Sequence, residues 1–365
     1  MINLDFLPSR RLTLYLGKLF ISRSFAVLIL LVLVLMSLDL LGESGKILRV
    51  SGNGDAELWR YVALRIPLLI QRFLPFSVLL GTLIALVGLN QHSEVVAMKA
   101  AGLSAHQILA PMLIASVAIA GIAFAFNETV AVNSARVVNA WSDNDYEPLK
   151  TDDGVQSNVW LRTGDDFVRA RIAAGRGDRL ELRGVTLYER AEGRLVRIVN
   201  AERGIRSGTG WLLQKVKTYD SDMNLLRKSD SLFALAGVTP DRFSLAKVKA
   251  DEQDIVTLSN SIEELRASGR PVDEARAGWW HKFSAPLSIV LMPLLAAIAA
   301  FGLARSGQVL MRAAAGMALG FAYFVVDNLS LALGNAGAYP AWLAAWSPFL
   351  LFLIIGETIL IRSEE

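Results

Sequence analysis

Six apolar runs, each near or above the roughly 20 residues that a helix needs to cross a bilayer, are split three and three by a long stretch that holds none. They are Phe25–Leu41, Tyr61–Leu89 and Leu109–Phe126, then Trp279–Leu303, Ala313–Leu333 and Ala341–Ile361. Inside lipid a backbone must satisfy its own polar groups, so apolar runs of this length are expected to be helices. Asn127–Arg276 has no apolar run long enough to span. The expected fold is an α-helical membrane protein with six transmembrane helices (3+3) and an aqueous insert, divided as 1–126, 127–276 and 277–365. Composition fits this alternation. Of 365 residues 53% are hydrophobic, more than in an ordinary soluble chain, yet 19% are charged.

The insert reads as all-β. Its short β-prone runs are VWLR, DFVRARI, RLELRGVTLYER, RLVRIVNAERG and WLLQKVKTY. Turn signals separate them: Gly164-Asp165, Gly175-Arg176-Gly177-Asp178, Glu192-Gly193 and Gly208-Thr209-Gly210. Short strands between Gly/Asp turns suggest a sandwich or roll. Ser261-x-x-Glu264 has the form of a capping box, for a helix ending before Gly269 that returns the chain to the membrane.

Orientation follows from charge. Arg10, Arg11, Lys18 and Arg23 precede the first run, and Gly42–Gly45 offers no cleavage pattern, so that run is read as an uncleaved span. Lys99, Arg305, Arg312 and Arg362 fall on the same side, whereas the fifth-to-sixth loop has no basic residue. The positive-inside rule then places both termini in the cytoplasm and the β insert outside.

Several functions find no support. A net charge of +3 is no polycation signal for nucleic acid. The absence of cysteine excludes disulfides and thiolate metal sites. Gly42-Glu-Ser-Gly45-Lys46 is too short for a phosphate-binding loop, lacks the Ser/Thr after Lys, and lies on the outer side. Any ATP hydrolysis is thus expected from a partner. Arg176-Gly177-Asp178 is explained by a hairpin turn. His92, His106 and His281 lack metal-ligand spacing, and no G-x-S-x-G is present. No catalytic residue, metal or cofactor is expected in this chain.

Charges within or beside spans are costly and therefore informative. Asp39 lies near the outer end of the first span, Arg65 and Arg72 in the outer part of the second, and Asp327 in the fifth. Either they snorkel or pair with one another, or some line a cavity for an amphiphile with anionic groups. Arg136, just outside the third span, could join them.

Ser93–Ile108, SEVVAMKAAGLSAHQI, separates the second and third spans. Ser93 can cap a short helix, with Glu94 in its first turn where the helix dipole favours a carboxylate. Val95 and Met98 share a face, Gly102 ends the helix and Ser104 starts the next. Spacing favours a helix lying on the bilayer. A single Lys and a small apolar face argue instead for docking into a protein groove containing Arg.

The layout of three spans, an external β domain and three more spans resembles the lipopolysaccharide export permeases, the LptF/LptG family. HSEVVAMKAAGLSAHQILAP resembles the family's coupling-helix segment, and NVWLRTGDDFV its first β strands. HKFSAPLSIVLMPLLAAIAAFGLARSG and GMALGFAYFVVDN resemble its fourth and fifth spans, and are more similar to the G paralogue. The resemblance implies a bacterial inner-membrane permease with a periplasmic β-jellyroll-like domain. It would pair with an LptF-type permease over two LptB-type ATPase subunits, which bind ATP and Mg. Lipopolysaccharide would enter between the first and fifth spans and pass to LptC-like and LptA-like proteins. The coupling helix, about 93–102, would engage the ATPase through Glu94, Val95 and Met98. Arg136 would match a basic residue beside the lipid cavity. G-type permeases can carry a Lys late in the first span, facing lipid phosphates. Here that neighbourhood reads SLDLLGESGK. Lys46 or Arg49 then compensates, or the headgroup is bound differently. Arg65 and Arg72 complete the headgroup candidates. Another lipid or lipoprotein exporter would place its large domain after the first span. A non-transporting β scaffold would need neither Glu94 nor intramembrane charges.

Overall fold

The computed structural model describes residues 7–147, 156–175, 180–191, 194–221, 223–240, 243, 248–267, 271–301 and 309–362. Among these, all six apolar runs lie in long helices. The first three are α1 (Arg10–Ile47), α2 (Asp55–Gln91) and α4 (Ala105–Phe126), with the short α3 (Glu94–Ala100) before α4. A π-helical turn, Asn127–Ala131, joins α4 to α5 (Val132–Asp143). Six strands follow, then α6 (Ile255–Ala267), α7 (Asp273–Phe301), α8 (Val309–Asn335) and α9 (Ala341–Arg362).

The helices outrun their apolar cores. α1 has 38 residues, about 57 Å at 1.5 Å per residue, against a hydrocarbon core of about 30 Å. The expected polar loop 42–60 is therefore mostly helix, with only residues 48–54 between α1 and α2. The phosphate-loop-like Gly42–Lys46 is the last turn of α1 and cannot cradle a phosphate with its backbone. Lys46 sits there with its charge matched to the helix C-terminus and bonds Glu43 at 2.8 Å. α2 continues through Pro67 and Pro75, as membrane helices can when neighbours re-satisfy the freed carbonyls.

The chain forms two compact units. The helical unit comprises Met1–Gly42, Val62–Ser134 and Ala250–Glu365. Its densest part is α7, where Leu291, Met292, Leu294, Leu295, Ala296 and Ala297 are all buried. The second unit, Glu43–Tyr61 with Ala135–Lys249, holds the sheet, the end of α1, the start of α2 and most of α5. Those segments are fastened by Trp141, Tyr146 and Tyr61, stacked edge-on in sequence. Asn53 donates to the carbonyls of Ile47 and Tyr146, and the Tyr146 hydroxyl donates to Glu43.

The strands are β1 (Gln156–Thr163), β2 (Asp166–Ala174), β3 (Glu181–Ala191), β4 (Arg194–Ser207), β5 (Gly210–Asp220) and β6 (Leu225–Ala234). They form one antiparallel sheet in chain order. Of the two expected forms, sandwich or roll, this is a roll. One face carries the core, including Val159, Val168, Leu182, Val199 and the fully buried Trp211 and Phe243. The sheet curls far enough that Thr163 and Asp166 of the first hairpin line one cavity of about 350 Å³ with Leu232 and Phe233 of β6. The turns at Gly164-Asp165 and Gly208-Thr209 fall where expected. Arg176–Asp178 and Glu192-Gly193 lie outside the described residues, as does Arg305.

α6 is capped differently from the expected Ser261/Glu264 box. Ser261 is buried inside the helix, and Asp254 is the cap. Its carboxylate accepts from the backbone N–H of Thr257 at 3.0 Å and of Val256 at 3.1 Å, and from the Thr257 hydroxyl at 2.7 Å. These bonds, that from the Thr257 hydroxyl first, hold the Asp254 carboxyl below its ordinary pKa of 3.8. A depressed carboxyl contributes stability that is present above its unfolded pKa and lost as pH falls through the folded value. Asp254→Ala is expected to cost about 1 kcal/mol at neutral pH and little at the acid end. Thermal unfolding at several pH values checks this, and a pH-independent difference would refute the cap's role.

Candidate coupling segment and membrane charge pairs

The link from α2 to α4 is built from turn chemistry. Ser93 has φ 60°, a left-handed conformation, and its side chain makes no cap hydrogen bond. The expected Ser93 cap is therefore absent: a capping side chain needs an extended backbone at that position. α3 closes on Gly102 at φ 87°. The Leu103 N–H donates to Met98 O and the Gly102 N–H to Lys99 O, the paired bonds of a glycine-terminated helix. A side chain at Gly102 would be strained. Ser104 then starts α4 with a full capping box: its hydroxyl accepts from the Gln107 N–H, and the Gln107 side chain accepts from the Ser104 N–H.

α3 is thereby fixed in rotation. Val95 and Met98 are buried within the chain, where they anchor the helix. The outward apolar residue is Val96, 64% exposed, beside exposed Ala97 and Ala100. Glu94 is partly exposed, and the Tyr15 hydroxyl of α1 donates to its carboxylate at 3.0 and 3.3 Å. No local signal marks Tyr15, which lies 79 residues away in sequence.

Three of the four charges read within the spans, Asp39, Arg65 and Asp327, are paired. Arg65 on α2 grips Asp39 on α1 through two bonds, Nε–Oδ2 at 2.9 Å and Nη2–Oδ1 at 3.1 Å. Such a bidentate pair removes most of the cost of holding both in a membrane helix. Asp327 on α8 meets His281 on α7 at 3.1 Å. Two further pairs were not singled out from sequence. His106 on α4 meets Glu357 on α9 at 3.2 Å. Lys282 on α7 meets Glu128, in the π-helical turn, at 2.6 Å, with side chains only 6% and 13% exposed. The other oxygen of Glu128 accepts the Ile255 N–H at the start of α6, also at 2.6 Å. A charged residue two positions after an apolar run, Glu128, and a Lys inside one, Lys282, were the available signals.

The remaining headgroup candidates stand apart. Arg72 is exposed on α2 in the helical unit. Lys46, Arg49 and Arg136 are exposed in the sheet-bearing unit, Lys46 already bonded to Glu43. Among the described residues no cluster of three or more His, Asp or Glu side chains could hold a metal ion.

The family model described as "Lipopolysaccharide export system permease LptF/LptG" matches residues 14–362. The chain belongs to the LptF/LptG family. Among curated LptF/LptG proteins, it is 27% identical over 364 residues to the lipopolysaccharide export system permease protein LptG of Escherichia coli (strain K12). That alignment covers 96% of this chain and 98% of the relative. The LptG of Haemophilus influenzae is 26% identical over 370 residues, with the same coverage. This LptF/LptG chain is thus an LptG-like permease, a multi-pass membrane subunit of a lipopolysaccharide export system and not an enzyme.

Proposed function

We propose that this chain is the G-type half of an ATP-driven exporter that extracts lipopolysaccharide from the inner membrane and delivers it to a periplasmic bridge. The LptF-type permease is its membrane partner. Two LptB-type subunits bind ATP and Mg and dock from the cytoplasm, the side of both termini, and LptC-like and LptA-like proteins receive the lipid. The match along nearly the whole chain carries this reading. Lifting a glycolipid is costly because each CH₂ leaving lipid costs about 0.8 kcal/mol, so an apolar-faced roll that shields the chains has a physical purpose. The position of the sheet after the third span supports this reading over exporters with the large domain after the first.

Docking falls to α3. Its buried face, Val95 and Met98, would transmit a push on the helix into the bundle, while Glu94 and Val96 meet the ATPase. The carboxylate would engage a cationic groove on the partner, exchanging the Tyr15 hydroxyl for a stronger charge-assisted bond. Arg72, exposed on α2 in the helical unit, is the candidate there for a lipid phosphate, and Arg49, exposed in the sheet-bearing unit, is a separate one. Glu94→Ala is expected to lower ATPase co-purification at least tenfold while membrane insertion stays intact. A variant complex that keeps its subunit ratio and lipid-stimulated ATPase would sink this assignment.

A further inference from the structure

Alternate residues of the sheet point away from its packed face, and two rows of them cross the strands. One row is Trp160, Arg169, Thr186, Asn200, Lys217 and Lys228, each the register partner of the next. The adjacent row is Phe167, Tyr188, Ile198 and Tyr219. Neither row contains a carboxylate. The first is cationic and polar, the second aromatic and apolar.

Three details mark this face as built for a ligand. The Trp160 indole, in a residue 45% exposed, lies nearly parallel to the Tyr188 ring, with centroids 5.8 Å apart and planes at 11°. The Arg169 guanidinium stands over the same indole at 5.7 Å. Lys217 and Lys228 are exposed and directly opposed, and neither makes an ion pair among the described residues. Like charges facing each other across strands destabilise a sheet, and a bound anion would relieve them. Between these ends the half-buried Thr186 and Asn200 continue the row as polar side chains.

We propose that the outer face of the roll binds the anionic, phosphorylated core saccharide of the exported glycolipid. This rests on the glycolipid-export reading above. The chemistry is complementary at each position. The C–H face of a pyranose stacks on flat aromatic rings, its hydroxyls meet Thr186 and Asn200, and its phosphates meet Lys217, Lys228 and Arg169 through charge-assisted bonds. An acidic protein would be attracted by the same cations but gains nothing specific from the parallel ring pair.

The test uses the full chain with its membrane partner in nanodiscs and, as probe, deacylated phosphorylated core oligosaccharide. Binding is expected to weaken at least tenfold in Lys217→Glu/Lys228→Glu, and on removal of the probe's phosphates. Trp160→Ala is expected to abolish saturation transfer from aromatic protons to the sugar. Absence of binding, or binding indifferent to these changes, overturns the proposal, as does a face that captures an acidic protein but not the sugar. In the ATP-driven complex the double variant should slow extraction of the complete glycolipid about tenfold and leave core-free lipid A unchanged. Equal slowing of both overturns the saccharide assignment. A wild-type complex that extracts neither would instead overturn the export reading, leaving the oligosaccharide measurement to stand or fall separately.

Discussion

Replacing Lys282 by Ala is expected to destabilise the protein by about 3–5 kcal/mol, read as a fall in thermal unfolding temperature in detergent. The substitution would leave Glu128 with a side chain 13% exposed and its cationic partner, 2.6 Å away, removed. Breaking one side of a buried pair costs more than the pair itself contributes, because the survivor keeps its desolvation penalty. Glu128 also accepts the Ile255 N–H, so one carboxylate joins the π-helical turn after α4, the start of α6 and the body of α7. The loss should be largely reversed in Lys282→Met/Glu128→Gln, where no charge is buried and the Gln oxygen still accepts from Ile255. If the single and double variants unfold together, the pair is not the source of the effect.

Gly81→Leu is expected to separate α1 from α2. A Cβ at Gly81 would lie 2.5 Å from both Cα and N of Ser24, so the helices touch backbone to backbone. Close approach through small residues is how membrane helices gain packing without a hydrophobic drive. A flexible side chain could retreat from an added atom, but the backbone of a 38-residue helix cannot do so without tilting. Gly81→Ala should cost about 1–3 kcal/mol, and Leu more. The chain has no cysteine, so disulfide crosslinking between single cysteines placed on α1 and α2 reads the separation directly. Unchanged crosslinking in Gly81→Leu would contradict the predicted contact.

The separation of helix from strand was legible because lipid and water impose different periods and lengths. Each apolar run had to be a helix, and the alternating runs in the insert, such as DFVRARI and WLLQKVKTY, became β2 and β5. Errors clustered at helix ends. Gly42–Lys46 looked like a loop by composition, yet the Tyr146–Glu43 bond and the Asn53 turn hold that end helical. The Ser261 box lost to Asp254, which lies at the residue where the chain turns into α6. In α3, spacing put Val95 and Met98 on one face. Whether that face looked outward or inward depended on how the helix was rotated by left-handed Ser93 and Gly102.

What the amino-acid order determined alone is the number of spans, the place and class of the insert, and the presence of charges where lipid makes them expensive. These follow from local transfer costs, which each residue carries with it. The pairing of those charges was decided only by the tertiary structure. Asp39 meets Arg65 across 26 residues, Glu94 meets Tyr15 across 79, and Glu128 meets Lys282 across 154. Likewise the cationic row on the roll draws one residue from each of six strands, and no stretch of sequence contains it. A cross-strand row exists only once register is set, and register is a property of the folded sheet.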